Sequence, residues 1–429
     1  MTILPVGGFL INNLEQILRK YPDIVHVKLG VSDFYLVTNP ELIKQVLVTK
    51  QRDFRKGKFL QRTKKVFGDG LLTSEGEFHH RQRQLILPAF HHDRIKAYAE
   101  IMAGKTLALT SRWTDGSIVD IHNEMMKLTM VIVAKCLFGA EIESESGSIA
   151  KDLTTTIEYF NRLSSPLALI FEKFRMNRRF EHAAGKVDEL IYRLIDEQKT
   201  TSEDRNDLMS MLIHAKDVDG NRMDEKQLRD EVLILFAAGH ETTANALTWT
   251  WYLLSENPSV ESKLHEEVDH VLGERNIASA EDFPKLEYSM KVLTESMRMY
   301  PPAWALVRES LRQVELDGYT IPSGANVVAS QYVNHHDPKY FPNPERFDPG
   351  RWNGDARNSL PKFAYYPFGG GSRSCVGEPF AWMEGVLVLA QISKEWSMRH
   401  VATHKVEMKP GITLRSRYGM KMKLERRNK

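Results

Sequence analysis

Cysteine is scarce in this sequence: Cys136 and Cys375 are the two in 429 residues. That excludes a disulfide framework and four-cysteine zinc or iron–sulfur sites. No CxxCH occurs, so haem attached covalently in the c-type manner is excluded too. Two lone thiols suit a reducing compartment. Charge of one sign is also lacking, with 58 Lys and Arg against 56 Asp and Glu. The chain therefore has no global field for nucleic acid, although local basic patches are allowed. Nowhere do about 18 apolar residues run together, so no transmembrane helix is expected. The N-terminal stretch lacks the cationic start, apolar core and small-residue cleavage site of a secretory signal. A cytoplasmic protein without a membrane anchor is the expectation. Low-complexity linkers and internal repeats are absent.

What is present is a chain with 42% hydrophobic residues, long enough to bury a large core and still enclose a ligand cavity. Leu14–Lys20 reads as a short helix. Ile24–Leu29 and Phe34–Val37 alternate like a hairpin. Asn39-Pro40 opens a helix to about Val48. Helical patterns dominate from about Glu75 to Glu315, with breaks at Thr114–Ser117 and Val218–Asn221. Short strands return at Val314–Ile321, Val406–Met408 and Lys421–Leu424. Strands at the ends and helices in the middle predict one mainly α domain, residues 1–429, with small β-sheets at its periphery. Within it, Glu225–Leu254 is apolar on most faces after its charged first turns, as a helix through the protein centre would be. Its middle nevertheless carries Gly239, His240, Glu241, Thr242 and Thr243, which need partners or a ligand if buried.

The sharpest feature is Phe368-Gly369-Gly370-Gly371-Ser372-Arg373-Ser374-Cys375-Val376-Gly377, with a helical run from about Pro379. Cys375 lies just before a helix N-terminus, where free N–H groups and the dipole favour thiolate. The glycines allow tight turns and close approach to a flat ligand. Arg373 can pair with an anion. By contrast Cys136, in the apolar run Met130–Phe138, reads as an inert core thiol.

This loop resembles the haem-binding loop of the cytochrome P450 family, matching at Phe368, Gly371, Arg373, Cys375 and Gly377. A chance match of that pattern in a chain of this length is on the order of one in ten thousand. The resemblance extends over nearly the whole chain. Glu295 and Arg298 resemble the family's Glu–Arg pair, completed by an arginine from Phe341–Trp352, here Arg346, in a structural rather than catalytic triad. Ala238-Gly239-His240-Glu241-Thr242 resembles its oxygen-binding stretch. There Gly239 would leave room for dioxygen, and Glu241 and Thr242 would deliver protons for cleavage of the O–O bond. By the same resemblance His79, Arg83, Arg308 and His335 join Arg373 in binding the haem carboxylates. His79 stands where the family more often has Trp.

The resemblance implies a single-domain haem-thiolate monooxygenase with haem b held by Cys375. It would insert one atom of dioxygen into a lipophilic substrate such as a fatty acid, terpenoid or carotenoid. Electrons would come from a separate ferredoxin or flavodoxin docking near Arg81, Arg94 and Lys96, since no flavin or iron–sulfur module is visible. The protein would be a monomer. Phe59–Leu72, Leu163–Phe171, Leu235–Ala238 and Ala303–Leu306 would face the distal pocket. Within them Leu167, Leu169, Phe171, Ala237, Trp304 and Leu306 stand out as apolar. A haem-thiolate lyase or isomerase and a non-enzymatic haem sensor are the alternatives. The intact Glu241-Thr242 pair speaks against the first, and the lack of a readout domain against the second.

Other motifs fail. His240-Glu241 does not continue to HExxH, because position 244 is Ala244. Asp217–Asn221 has its glycine too early for a calcium loop and Leu228 where the bidentate Glu belongs. Gly369–Gly371 lacks the Lys-Ser/Thr of a phosphate loop. His79-His80 and His91-His92 lack further ligands.

Overall fold

A computed structural model describes residues 23–29, 32–162, 176–200, 207–216 and 220–427, together with Gly8, Asn13, Gln16 and Ile17. Most of the expected helix Leu14–Lys20, the segment Leu163–Phe171 and part of the Val218–Asn221 break lie outside these residues. The strands are β1 (Ile24–Leu29), β2 (Ser32–Val37), β3 (Phe54–Lys56), β4 (Ile118–Asp120), β5 (Leu306–Ser310), β6 (Val314–Leu316), β7 (Tyr319–Ile321), β8 (Asn326–Ala329), β9 (Trp396–His400), β10 (Met408–Pro410), β11 (Leu414–Ser416) and β12 (Lys421–Arg426). The longer helices are α1 (Gly76–Ile86), α2 (His92–Thr110), α3 (Ile121–Phe138), α4 (Ser146–Arg162), α5 (Met176–Thr200), α6 (Glu225–Glu256), α7 (Pro258–Leu272), α8 (Glu287–Met299) and α9 (Glu378–Ser393).

The N-terminal hairpin forms, β1 antiparallel to β2 with Ile24 opposite Val37. Chain segments far apart in sequence complete its sheet: β8 runs parallel to β2, β5 antiparallel to β8, and β3 closes the edge on β5. A second sheet joins β4, β12 and β9, and β6–β7 and β10–β11 are separate hairpins. Asn39 caps the helix Pro40–Lys44 by accepting the Glu41 N–H at 2.9 Å, as Asn-Pro predicts. The helical path then continues as a π-turn through Gln45–Thr49.

α6 passes through the centre. Asp224 accepts the Gln227 N–H at 2.7 Å at its start, and Asn257 ends it before Pro258 opens α7. Trp249 and Trp251 are among the largest fully buried side chains. α3, with thirteen of its eighteen residues buried, packs along it. The most intimate contact falls at Gly239, where a Cβ would lie 3.0 Å from Val133 Cγ2. The missing side chain of Gly239 thus lets α6 pack closely on α3 at this point. α9 fills the space behind, all but its first turn buried.

Candidate active site

The Cys375 loop is built by backbone geometry. Gly371 has φ +74°, and a Cβ there would sit 2.0 Å from the Leu47 carbonyl oxygen, so only glycine fits. Gln51 holds the same turn, its Oε1 accepting from Ser372 N–H at 3.1 Å and Ser372 Oγ at 2.6 Å. Cys375 N–H donates to the Phe368 carbonyl at 3.0 Å and closes the loop. The Phe368 ring rests on Trp382, centroids 5.4 Å apart. Gly377 caps α9 with an ordinary φ of −85°, and it is its N–H that matters: with the Glu378 N–H it donates to the Cys375 sulfur.

Cys375 retains accessible surface, yet burial pushes its thiol up to about 11. The two observations agree if the sulfur opens onto an internal cavity rather than bulk water. The Gly377 and Glu378 amides and Arg83 pull toward thiolate, while the Glu378 carboxylate opposes them. With only these partners the group stays a thiol at neutral pH. A cation at the sulfur is what would ionise it.

Beside this loop lies a cluster of buried cations. Arg83 donates from Nη1 to the Ser374 carbonyl at 2.6 Å and from Nη2 to Ser374 Oγ at 3.1 Å. Arg373 pairs with Glu75 at 2.7 Å. Arg308 is 7% exposed, and its one hydrogen bond runs to the Val307 carbonyl at 3.2 Å. Burial pulls its guanidinium down to about 10, with Arg373 acting in the same direction. His79 is buried, and burial followed by the field of Lys56 pulls it down to about 4. The three arginines and His79, expected together from sequence, are indeed brought together.

Sequence reasoning missed Lys56 and Glu75. Lys56 is buried on β3, its Nζ donating at 2.8 Å to the carbonyls of both Leu71 and Ser74. Burial drags it down to about 7. Glu75 accepts from the Lys56 N–H at 2.5 Å as well as from Arg373. A signal was available: in Phe54-Arg55-Lys56 the strand alternation points Lys56 to the side of buried Phe54, an unusual place for lysine.

On α6, Ala238 is exposed and Gly239 and Thr242 are half-buried, while the residues around them are buried. This is the one stretch in the middle of the helix that faces open space, and Thr242 Oγ1 donates back to the Ala238 carbonyl at 2.8 Å. Glu241 lies about 100° further around the helix. It is 4% exposed and accepts from Thr413 Oγ1 at 2.5 Å. The expected pair is adjacent in sequence but faces two directions.

His335 is not part of the cation cluster. It is fully buried, Nε2 accepts from the Tyr366 N–H at 3.1 Å, and its ring stacks near Tyr365 at 4.8 Å. It packs beside Arg298, which donates to its carbonyl at 2.9 Å. The Glu295–Arg298 pair is completely buried, at 2.9 Å, but the arginine closing it is Arg351, 3.4 Å from Glu295, and not Arg346. Arg346 contributes only its carbonyl, to Arg298. Trp352 Nε1 also donates to Glu295, at 2.9 Å. Trp304, expected in the pocket, is turned inward at 2% exposure and donates to the Gly411 carbonyl at 2.8 Å. Ala237 is buried as well, whereas Ala303, Ala305 and Leu306 retain surface. Among the described residues no cluster of His, Cys, Asp and Glu suits a bare metal ion. No helix among them is long and apolar enough to cross a membrane.

The mainly helical body thus presents a cysteine at the mouth of α9 with buried and half-buried cations beside it. The chain belongs to the cytochrome P450 family, whose profile matches residues 2–422. It is 38% identical over 422 residues to cyclooctatin synthase of Streptomyces melanosporofaciens, covering 96% of this chain and 92% of that protein. It is 37% identical over 402 residues to cyclooctat-9-en-7-ol 5-monooxygenase of the same organism, covering 92% and 85%. Pentalenene oxygenase of Streptomyces avermitilis is 32% identical over 391 residues, covering 88% and 85%. The crystal structure of the cytochrome P450DA heme domain superposes with a TM-score of 0.87 at 23% identity, covering 98% of this chain and 94% of that one, and shares its fold. As a member of this family the protein uses haem and dioxygen and takes electrons from a redox partner.

The residues present fit that cofactor. Haem brings two carboxylates and an iron cation. Arg308 and Lys56 are buried cations whose pKa values are driven down chiefly by burial, which the field of Glu75, the one carboxylate acting on both, offsets only in part. Cys375 is a thiol driven up by burial, against the pull of Arg83 and the neighbouring amides. The same group would relieve both costs.

Proposed function

We propose that Cys375 would bind the iron of haem b through its sulfur and that Arg83, Arg308, Arg373, His79 and Lys56 would hold its carboxylates. The observation that carries this reading is Arg308, a guanidinium in the interior that makes no ion pair with a carboxylate among the described residues, next to the cysteine loop. Haem, when bound, supplies the iron at which dioxygen is reduced and one oxygen atom is passed to substrate.

The chain does the rest. The N–H groups of Gly377 and Glu378 aim at the sulfur and temper its electron donation. The Phe368 carbonyl, on a residue whose ring packs against Trp382, holds the Cys375 N–H and fixes the loop. Thr242, on the open face of α6, offers a hydroxyl toward the site, and Glu241 moves protons toward it from the solvent side. Glu295, Arg298 and Arg351 hold the segment before the cysteine loop in place and do not touch the reacting atoms.

The substrate we infer is a terpenoid. Ala238, Ala303, Ala305, Leu306 and Leu72 are apolar residues with surface left uncovered near the site. Two relatives are named for oxygenation of an alkene and an alkenol, pentalenene and cyclooctat-9-en-7-ol. A few apolar contacts with one polar group fix such a molecule. A ferredoxin or flavodoxin would deliver electrons at the face bearing Arg81, Arg94 and Lys96, in a monomeric protein of the reducing cytoplasm. Lys96 is exposed, and Arg81 lies over the Phe78 ring at 5.3 Å.

The test is spectroscopic. Reduced protein with carbon monoxide should give the red-shifted band of a thiolate-ligated haem, absent in Cys375→Ser. Titration with pentalenene, limonene, lauric acid and testosterone should shift the spin state for the terpenes first. Oxygen consumption coupled to a hydroxylated product separates a monooxygenase from a lyase. A spin shift with lauric acid alone would overturn the terpenoid assignment.

A further inference from the structure

We propose that Thr413 is a positioning residue for Glu241: its hydroxyl fixes the carboxyl on the hairpin side of α6, at the inner end of a polar path from solvent. The inference rests on the reading of Glu241 as a proton carrier.

The geometry is specific. Thr413 is 7% exposed and sits between β10 and β11. Its Oγ1 donates to Glu241 Oε1 at 2.5 Å and accepts from Asn245 Nδ2 at 3.2 Å. The hydroxyl therefore has one proton to give, and Asn245 directs that proton at the carboxylate. Asn245 is one turn along α6 from Glu241, so both sit on the same helix face. The hairpin cannot drift. The Trp304 indole holds the Gly411 carbonyl at 2.8 Å, Trp249 holds the Leu414 carbonyl at 3.1 Å, and the Leu414 N–H donates to Pro302 at 2.9 Å. Three rigid anchors around one hydroxyl go beyond what a merely space-filling residue requires.

What lies beyond the carboxyl gives the placement its purpose. His122, half-buried and with an unpartnered, buried Nδ1, lies in the field of Asp120, Arg415 and Glu241. Arg415, two residues past Thr413, is 6% exposed and pairs with Glu158 at 3.0 Å. Glu158 also takes Lys409 at 2.8 Å and lines a cavity of about 890 Å³ between α4 and α5. Charged and polar groups thus lie between this groove and Glu241, and Thr413 holds the carboxyl in place on α6. A glutamate side chain has three rotatable bonds, and without a fixed partner it would spread over several rotamers. Thr413 selects one.

The experiment uses the holoenzyme with a surrogate ferredoxin and ferredoxin reductase, without added substrate. Hydrogen peroxide released per NADPH consumed and the solvent hydrogen isotope effect on NADPH consumption are measured for wild type, Thr413→Val, Thr413→Ser, Glu241→Gln and the double variant Thr413→Val with Glu241→Gln. Imidazole titration confirms an intact haem site in each. Thr413→Val should raise the peroxide fraction or slow consumption about threefold to tenfold, the range of one net hydrogen bond, and change the isotope effect. Thr413→Ser should return toward wild type, and the double variant should be no worse than Glu241→Gln. If Thr413→Val does not load haem, Asn245→Ala removes the donor that aims the same hydroxyl and carries the test. Additive effects, or a silent Thr413→Val beside an impaired Glu241→Gln, would overturn the positioning role alone. A silent Glu241→Gln would overturn both readings.

Discussion

The Nη1 of Arg83 lies 2.6 Å from the carbonyl of Ser374, the residue before Cys375, and this one bond ties α1 to the cysteine loop across 291 positions of sequence. It makes the guanidinium part of two structures at once: the wall of the proposed carboxylate pocket and the support of the cysteine turn.

Arg83→Ala and Arg308→Ala should therefore differ. Both lose a cation facing the cofactor carboxylates, but only Arg83→Ala also frees the loop. Haem transfer to apomyoglobin should quicken in both, and the carbon monoxide band should decay toward its unligated position mainly in Arg83→Ala. Unchanged transfer rates in Arg308→Ala would remove it from the pocket.

Lys56→Met should stabilise the haem-free protein at neutral pH and weaken the holoenzyme. In the absence of an anion the ammonium is a buried charge held near neutrality, while with the carboxylates present it becomes a partner. Thermal unfolding with and without haem reads the two signs. A loss in both forms would mean that the bonds to Leu71 and Ser74 matter more than the charge.

Thr242→Ala should uncouple. NADPH consumption persists, product falls, and hydrogen peroxide release rises by up to about a hundredfold, the lower end of what one proton-transfer group contributes. Unchanged product per NADPH would sink the assignment of this hydroxyl.

Glu295→Ala should cost about 3–5 kcal/mol, because it leaves Arg298 charged and buried without its partner. Arg346→Ala should cost under about 0.5 kcal/mol, since that side chain is exposed and outside the network. Urea unfolding midpoints decide it, and a large loss for Arg346→Ala would contradict the geometry.

Acid should destabilise the fold through buried neutral histidines. Burial holds His79 near pH 4 and His336 near pH 3. An unfolded chain takes up these protons near pH 6.5. Between about 6.5 and 3 the unfolded state binds more protons, so stability falls as pH falls through that window and is unaffected by these groups above it. His336→Gln should flatten the fall in Tm below pH 6.5. An equally steep fall in that variant would place the acid sensitivity elsewhere.

The sequence by itself determined what depends on neighbours along the chain. The caps of α6, the N-terminal hairpin and the Asn39-Pro40 start rest on bonds between near neighbours, and local residue types specify them. Even the Glu295–Arg298 contact follows from helical spacing. Only the tertiary structure decided which distant group completes each site. Arg351 rather than Arg346 reaches Glu295, His335 belongs to the packing around Arg298, and Gly239 meets Val133. Lys56 and Glu75 join the cations, and Thr413 meets Glu241 across 172 positions. Spacing along a chain constrains direction within one element, whereas the partner of a buried charge is set by which elements pack together, and that emerges only when the whole core closes.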